Sequence, residues 1–160
     1  MYLQAKLYVS KYSHPEALAA LEKVELPGVT VPPEYIPNFP SRTMTVPLMY
    51  WRKSNQIHRW FVREVQEGVD QCQTAYVDPD KLRELRDLCR RVLEARAGPD
   101  GESVAKLLLP TESGFFFGGV EYDEYYYKDL EDTLDALDRL LADYDAGLLK
   151  GWSIEYHSSW

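Results

Sequence analysis

The side chains best suited to holding a small polar ligand are crowded into Tyr50-Trp51-Arg52-Lys53-Ser54-Asn55-Gln56-Ile57-His58-Arg59-Trp60-Phe61. An indole offers a flat face for stacking, guanidinium and ammonium groups hold phosphate, and an amide and an imidazole read polar edges through hydrogen bonds. On a helix, Trp51, Asn55, His58 and Val62 fall on one stripe, and Arg52, Gln56, Arg59 and Arg63 fall on the adjoining one. From Tyr35 to Arg63 there is no acidic residue and there are five basic ones, in a chain of formal net charge −8. Local charge therefore opposes global charge. The pattern predicts a site in which a planar ring stacks on Trp51, Arg52 and Lys53 hold phosphate, and Asn55 and His58 read polar edges. Its plainer counterpart is an amphipathic helix with a solvated Arg and Lys face, a boundary Trp and a structural His.

A second segment, Leu109-Pro110-Thr111-Glu112-Ser113-Gly114-Phe115-Phe116-Phe117-Gly118-Gly119, sets three Phe between glycines. Glycine permits close backbone approach, and exposed amides in such turns bind anions. The segment lacks the Gly-Lys-Ser/Thr ending of a Walker loop, so a hairpin corner filled with Phe is the simpler reading. If it faces the first segment, Thr111, Phe116 and Tyr122 close the far side of the pocket. A third feature is charge: residues 121 to 145 hold ten acidic residues against Lys128 and Arg139. That helix could mimic DNA phosphates or dock on a basic partner, as in an acidic inhibitor of a host protein, or simply be solvated, and a homo-oligomer is equally open.

The inventory for catalysis is thin. His14, His58 and His157 are scattered, and the sequence has no His-x-x-x-His, Cys-x-x-Cys or Gly-x-Ser-x-Gly spacing. A hydrolase using His58 with Cys72 would need the fold to bring them together. No catalytic residue, metal ligand or cofactor is predicted.

Several elements must position these segments. Tyr2, Leu3, Ala5, Leu7 and Val9 alternate as a strand does, and Ser13 with Glu16 forms a capping box for a helix through Val24. Six prolines between Pro27 and Pro47 make a loop with extended pieces, including a strand at Thr43 to Leu48. Leu48 to Glu67 reads as one long helix, from the spacing of Tyr50, Ile57, Phe61 and Val65. A short strand at Thr74 to Val77 precedes a helix capped by Asp78-Pro79 and stopped by Gly98-Pro99-Asp100-Gly101. A turn or helix at Val104 to Leu109, a strand at Phe115 to Phe117, a helix from Asp123 to Tyr144 and a strand carrying Trp152, Ile154, Tyr156 and Ser158 complete the reading. The expected fold is α+β, a small mostly antiparallel or mixed sheet covered by three to four helices, in a single domain over residues 1 to 160.

Composition agrees with a globular chain, since 45% of residues are aliphatic or aromatic and 28% are charged. The net charge argues against general nucleic-acid binding, and no apolar run approaches the roughly 20 residues that span a bilayer. Two cysteines in unrelated contexts and no leader-like N-terminus predict reduced thiols in a cytoplasm.

The motifs Tyr50-Trp51-Arg52-Lys53-x-Asn55-x-Ile57-His58-x-Trp60-Phe61-Val62, Gly68-Val69-Asp70-x-Cys72, Leu108-Leu109-Pro110-Thr111-x-x-Gly114-Phe115-Phe116-Phe117-Gly118, Tyr122-Asp123-x-x-Tyr126 and Ser158-Ser159-Trp160 resemble a family of small phage and bacterial proteins. The resemblance spans residues 48 to 160. It departs from the family's usual Met-Gly-Leu-Asp-Met-Tyr-Leu opening, and residues 27 to 47 are Pro-rich. It implies a phage origin and a shared site, and names no reaction. Together with the residue chemistry it leads to a binding protein for a phosphate-bearing, nucleotide-like molecule, which in a phage would sequester a host immune signal.

Overall fold

A computed structural model describes residues 1–10, 41–114 and 118–159. The expected helix at Ser13 to Val24, most of the Pro-rich loop and the strand at Phe115 to Phe117 lie outside the described residues. The sheet consists of β1 (Tyr2–Ser10), β2 (Ser41–Tyr50), β3 (Ala75–Tyr76) and β4 (Ser153–His157). Their order is β2-β1-β4-β3, and every pairing is antiparallel. Helices α1 (Asn55–Glu64), α2 (Pro79–Ala95), α3 (Gly101–Leu108) and α4 (Glu124–Asp145) complete an α+β fold. Among the described residues no helix is long and apolar enough to cross a membrane.

Alternation fixes which face of the sheet is covered. Leu3, Ala5 and Leu7 of β1 and Ile154 and Tyr156 of β4 are buried, while Tyr2 and Tyr8 are exposed. The buried face meets Phe61 of α1, whose ring stacks on Tyr156 at 4.0 Å and 8°. Leu82, Leu85, Cys89 and Val92 of α2 and Leu130, Leu137 and Leu141 of α4 fill the same core. The cap predicted at Asp78-Pro79 is present, and Asp123 caps α4. Asp78 accepts from Asp80 N–H at 2.8 Å ahead of Pro79, and Asp123 accepts from the N–H groups of Tyr125 and Tyr126.

The predicted helix from Leu48 to Glu67 is corrected. Residues 48–50 belong to β2, which pairs with β1 from Ser10↔Ser41 to Tyr2↔Tyr50, so the predicted strand at Thr43 to Leu48 is present and longer. Trp51 N–H then donates to the Met1 carbonyl at 3.0 Å, and the helix begins only at Asn55. Pairing along the whole of β1, with Thr, Val and Tyr well suited to a pleated surface, overrides the helical periodicity of Tyr50. Trp51, Arg52 and Lys53 consequently sit on a strand-to-helix turn, and Trp51 does not share a stripe with Asn55 and His58.

Candidate functional site

The turn at residues 51–54 is fastened from below. Trp51 is 2% exposed, packs 5.7 Å from the Phe61 ring and donates its indole N–H to Thr133 Oγ1 at 2.8 Å. Thr133 Oγ1 in turn donates to the Asp129 carbonyl of α4 at 2.6 Å. With the indole anchored inward, the next two residues, Arg52 and Lys53, are exposed. Lys53 has φ +66°, an αL conformation uncommon for a residue with a Cβ. Gly118, at φ +63°, approaches it so closely that an added Cβ would lie 3.0 Å from the Lys53 carbonyl oxygen and 3.1 Å from its Cβ. The glycine requirement anticipated for this loop is real at Gly118.

Asn55 joins the turn to the loop after α3. Its Nδ2 donates to Gly119 O at 2.7 Å and its Oδ1 accepts from Glu112 N–H at 2.9 Å. One buried carboxamide thereby holds both ends of the segment running from residue 112 to 119. Thr111 braces the same loop, donating through Oγ1 to Val120 O at 3.0 Å while its N–H donates to Tyr122 Oη at 3.2 Å.

Between turn, loop and the start of α4 lies an open cleft of about 280 Å³. Arg52, Lys53 and Thr111 line it together with Gly118, Gly119, Gln56, Glu121, Tyr125 and Asp129. Its charges are segregated by chain segment, with cations from the turn and carboxylates from α4 and the residues before it. Neither Arg52 nor Lys53 forms an ion pair with any described residue. Most cations of α2 to α4 are by contrast paired: Arg83 with Asp80 and Asp145, Arg90 with Asp138, Arg96 with Glu124 and Glu131, Lys106 with Glu102, and Lys128 with Asp132. The same bonds neutralise much of the acidic helix, whose Glu124, Glu131, Asp132, Asp138 and Asp145 all take part. Asp129 differs. Burial pushes its carboxyl above the ordinary range, against the opposing pull of Ser54 and Gln56. Gln56 Nε2 donates to its Oδ2 at 3.3 Å, and Ser54 lies beside it without a well-formed hydrogen bond.

The structure thus brings Arg52, Lys53, Asn55 and Thr111 to one cleft. Tyr122 braces Thr111, and Phe116 lies outside the described residues. Trp51 and His58 are placed elsewhere. Trp51 is covered by α4, so the predicted stacking on its face is corrected. His58, a residue of α1, is buried, with Nε2 2.9 Å from Asp70 Oδ2 and Nδ1 2.6 Å from Tyr156 Oη. Burial raises the Tyr156 hydroxyl above its ordinary pKa, which keeps it an O–H donor. The Asp70 carboxylate only accepts, so the Nε2–H donates to it, while the Tyr156 hydroxyl, which can donate or accept, is hydrogen-bonded to Nδ1. Both ring nitrogens therefore have partners, Tyr156 on one side and Asp70 on the other. The Cys89 thiol is pushed up to about 12 by burial and is inert. Among the described residues no group of three or more His, Cys, Asp or Glu is placed to hold a metal ion.

The sequence offers Tyr125, with Tyr122, Tyr126 and Tyr127, as aromatic surface that lines a pocket or simply packs at the start of the acidic helix, but it does not single out Asp129, which enters only as a member of that helix. A signal was present, since four residues separate Tyr125 from Asp129 and the offset puts both on one helical face. No protein-family model, no curated protein and no solved structure matches this chain.

Proposed function

We propose that the protein binds a phosphate-bearing, nucleotide-like small molecule in the cleft between residues 52–56, Thr111, Gly118, Gly119 and the start of α4. The observation that carries this reading is the pair Arg52 and Lys53, exposed on a cleft rim and without an acidic partner among the described residues, in a protein whose other described cations are mostly paired. Unpaired cations on a glycine-bounded cleft suit phosphate oxygens, which accept charge-assisted hydrogen bonds. Held by Trp51 below and by Gly118 beside it, the turn keeps Lys53 in an αL conformation that costs roughly 1–2 kcal/mol, a strain of the kind that persists where the surroundings enforce a particular geometry. Following the resemblance to phage and bacterial proteins, we propose that the ligand is a host nucleotide signal removed from a cytoplasm by sequestration.

The test is a thermal-shift and mass-spectrometric screen against mononucleotides, cyclic dinucleotides and trinucleotides, and ADP-ribose derivatives. A ligand at 100 times its Kd adds about 2.7 kcal/mol, which at roughly 2–4 °C per kcal/mol for a chain of this size raises the Tm by about 5–11 °C. The doubly reversed variant Arg52→Glu, Lys53→Glu should melt like the parent and lose the shift. Ligand recovered intact supports sequestration. A screen with no shift, or a shift that survives charge reversal, overturns the reading.

A further inference from the structure

The wall of the cleft opposite the cations carries information about the rest of the ligand. Three carboxylates line it, and they are not equivalent. Asp123 is occupied in capping α4, where it accepts from two backbone N–H groups. Glu121 is exposed, and solvent screens it. Asp129 is half-buried, and the amide of Gln56, a residue 3% exposed, bonds one of its oxygens and so orients the carboxylate. A carboxylate has about four lone-pair sites, so Asp129 can still accept from a ligand. One helical turn before it, Tyr125 is 81% exposed and lines the same cleft, presenting an aromatic face to a planar group. Hydrogen bonds made where water is partly excluded discriminate strongly, because a mismatched ligand leaves a polar group unpaired.

The chemistry of the bases selects among them. A carboxylate accepts and cannot donate. Guanine presents two neighbouring donors, N1–H and the N2 amino group, which match two carboxylate oxygens or one oxygen and an adjacent acceptor. Adenine and cytosine each place a ring acceptor beside the amino group, so one favourable contact comes with one repulsive contact. Uracil offers a single N–H between two carbonyls. The volume of about 280 Å³ lies just below the roughly 300–1,000 Å³ of typical small-molecule sites, which suits one nucleotide unit.

Resting on the nucleotide reading of the same cleft, we infer that the ligand carries a guanine-type base, whose paired N–H donors are accepted by Asp129 while its ring lies against Tyr125. Arg52 and Lys53 hold the phosphate, and Asp129 sets the choice of base.

Isothermal titration of the full chain with GMP, IMP, AMP and inorganic phosphate tests this. One hydrogen bond to a charged group corresponds to roughly 10–100-fold in affinity, so GMP should bind about that much more tightly than AMP. IMP, which keeps N1–H and lacks the N2 amino group, should fall between them, and phosphate should be the weakest. Asp129→Asn should bring GMP close to AMP, and Tyr125→Ala should weaken both. Equal binding of GMP and AMP overturns the base inference and leaves the nucleotide reading standing. A guanine preference that survives Asp129→Asn overturns the role of Asp129. If neither a mononucleotide nor phosphate binds, the base inference falls, and the nucleotide reading falls with it only if the wider ligand screen also gives no shift.

Discussion

Replacing Asn55 by Ala tests whether the cleft is built as described, independently of any ligand. The carboxamide makes two hydrogen bonds, 2.7 Å to the Gly119 carbonyl and 2.9 Å from the Glu112 amide, and the residue is 2% exposed. Each such bond contributes about 0.5–1.5 kcal/mol net, so the substitution should cost about 2 kcal/mol. At roughly 2–4 °C per kcal/mol for a chain of this size, the Tm should fall by about 4–8 °C. Asn55→Asp separates the two bonds at constant volume. It keeps an acceptor for Glu112 N–H but turns a second carboxylate oxygen toward the Gly119 carbonyl, which also only accepts. At neutral pH this variant should be at least as destabilised as the alanine. The introduced carboxyl is raised in the folded state, where the protonated form can donate to Gly119 O, so the penalty should shrink as pH falls and grow as pH rises through its folded pKa. Calorimetric melts at pH 7 and pH 4, with hydrogen exchange of the Glu112 amide at pH 7, read both effects. The reasoning is refuted if the alanine variant melts within about 1 °C of the parent and Glu112 exchanges no faster.

Two further outcomes follow from neighbouring contacts. Trp51→Phe removes the indole donor to Thr133, and with Thr133→Val it should show a coupling of about 0.5–1.5 kcal/mol in a double-mutant cycle. Because Trp51 is covered, the phenylalanine variant should retain ligand affinity, and a tenfold loss with the fold intact would return Trp51 to the ligand's side. Asp129→Asn should stabilise the free protein near pH 7. Burial raises the folded pKa of this carboxyl, so its contribution is present at low pH and lost as pH rises through that value, a loss the amide does not suffer. Denaturant midpoints at pH 4 and pH 7 should therefore diverge with rising pH, and convergence at pH 7 would contradict the assignment.

Most of the fold was legible in the sequence because its signals are local. Alternation in Tyr2–Ser10 and Ser153–His157, the Asp78-Pro79 cap and the helical spacing of Tyr126, Leu130, Leu134, Leu137 and Leu141 each decide an element from nearby residues. The boundary near residue 50 was not legible, because the pairing of β2 with β1 is a tertiary contact that outweighs helical spacing. The candidate site shows the same division. Arg52, Lys53, Asn55 and Thr111 carry polar chemistry beside glycine-rich or turn-forming sequence, a local signal, and they line one cleft. Trp51 and His58 have the same chemical vocabulary, but Thr133, Asp70 and Tyr156 claim their polar atoms, and those partners lie 12 to 98 residues away. Asp129 was hidden for the opposite reason: it is one of ten acidic residues in its stretch, and only its burial beside Gln56 distinguishes it.

The long reach of the contacts that close the cleft has a kinetic meaning. Asn55 meets Gly119 across 64 residues and Gln56 meets Asp129 across 73. Such contacts form only after the entropy of closing a long loop has been offset by other interactions, so they are expected late in folding, after the helix pair α2 and α4 has docked. A molecule that bridges the turn and α4 would then find no foothold in the transition state. It would leave the refolding rate unchanged and prolong the lifetime of the native chain, acting as a brake on unfolding.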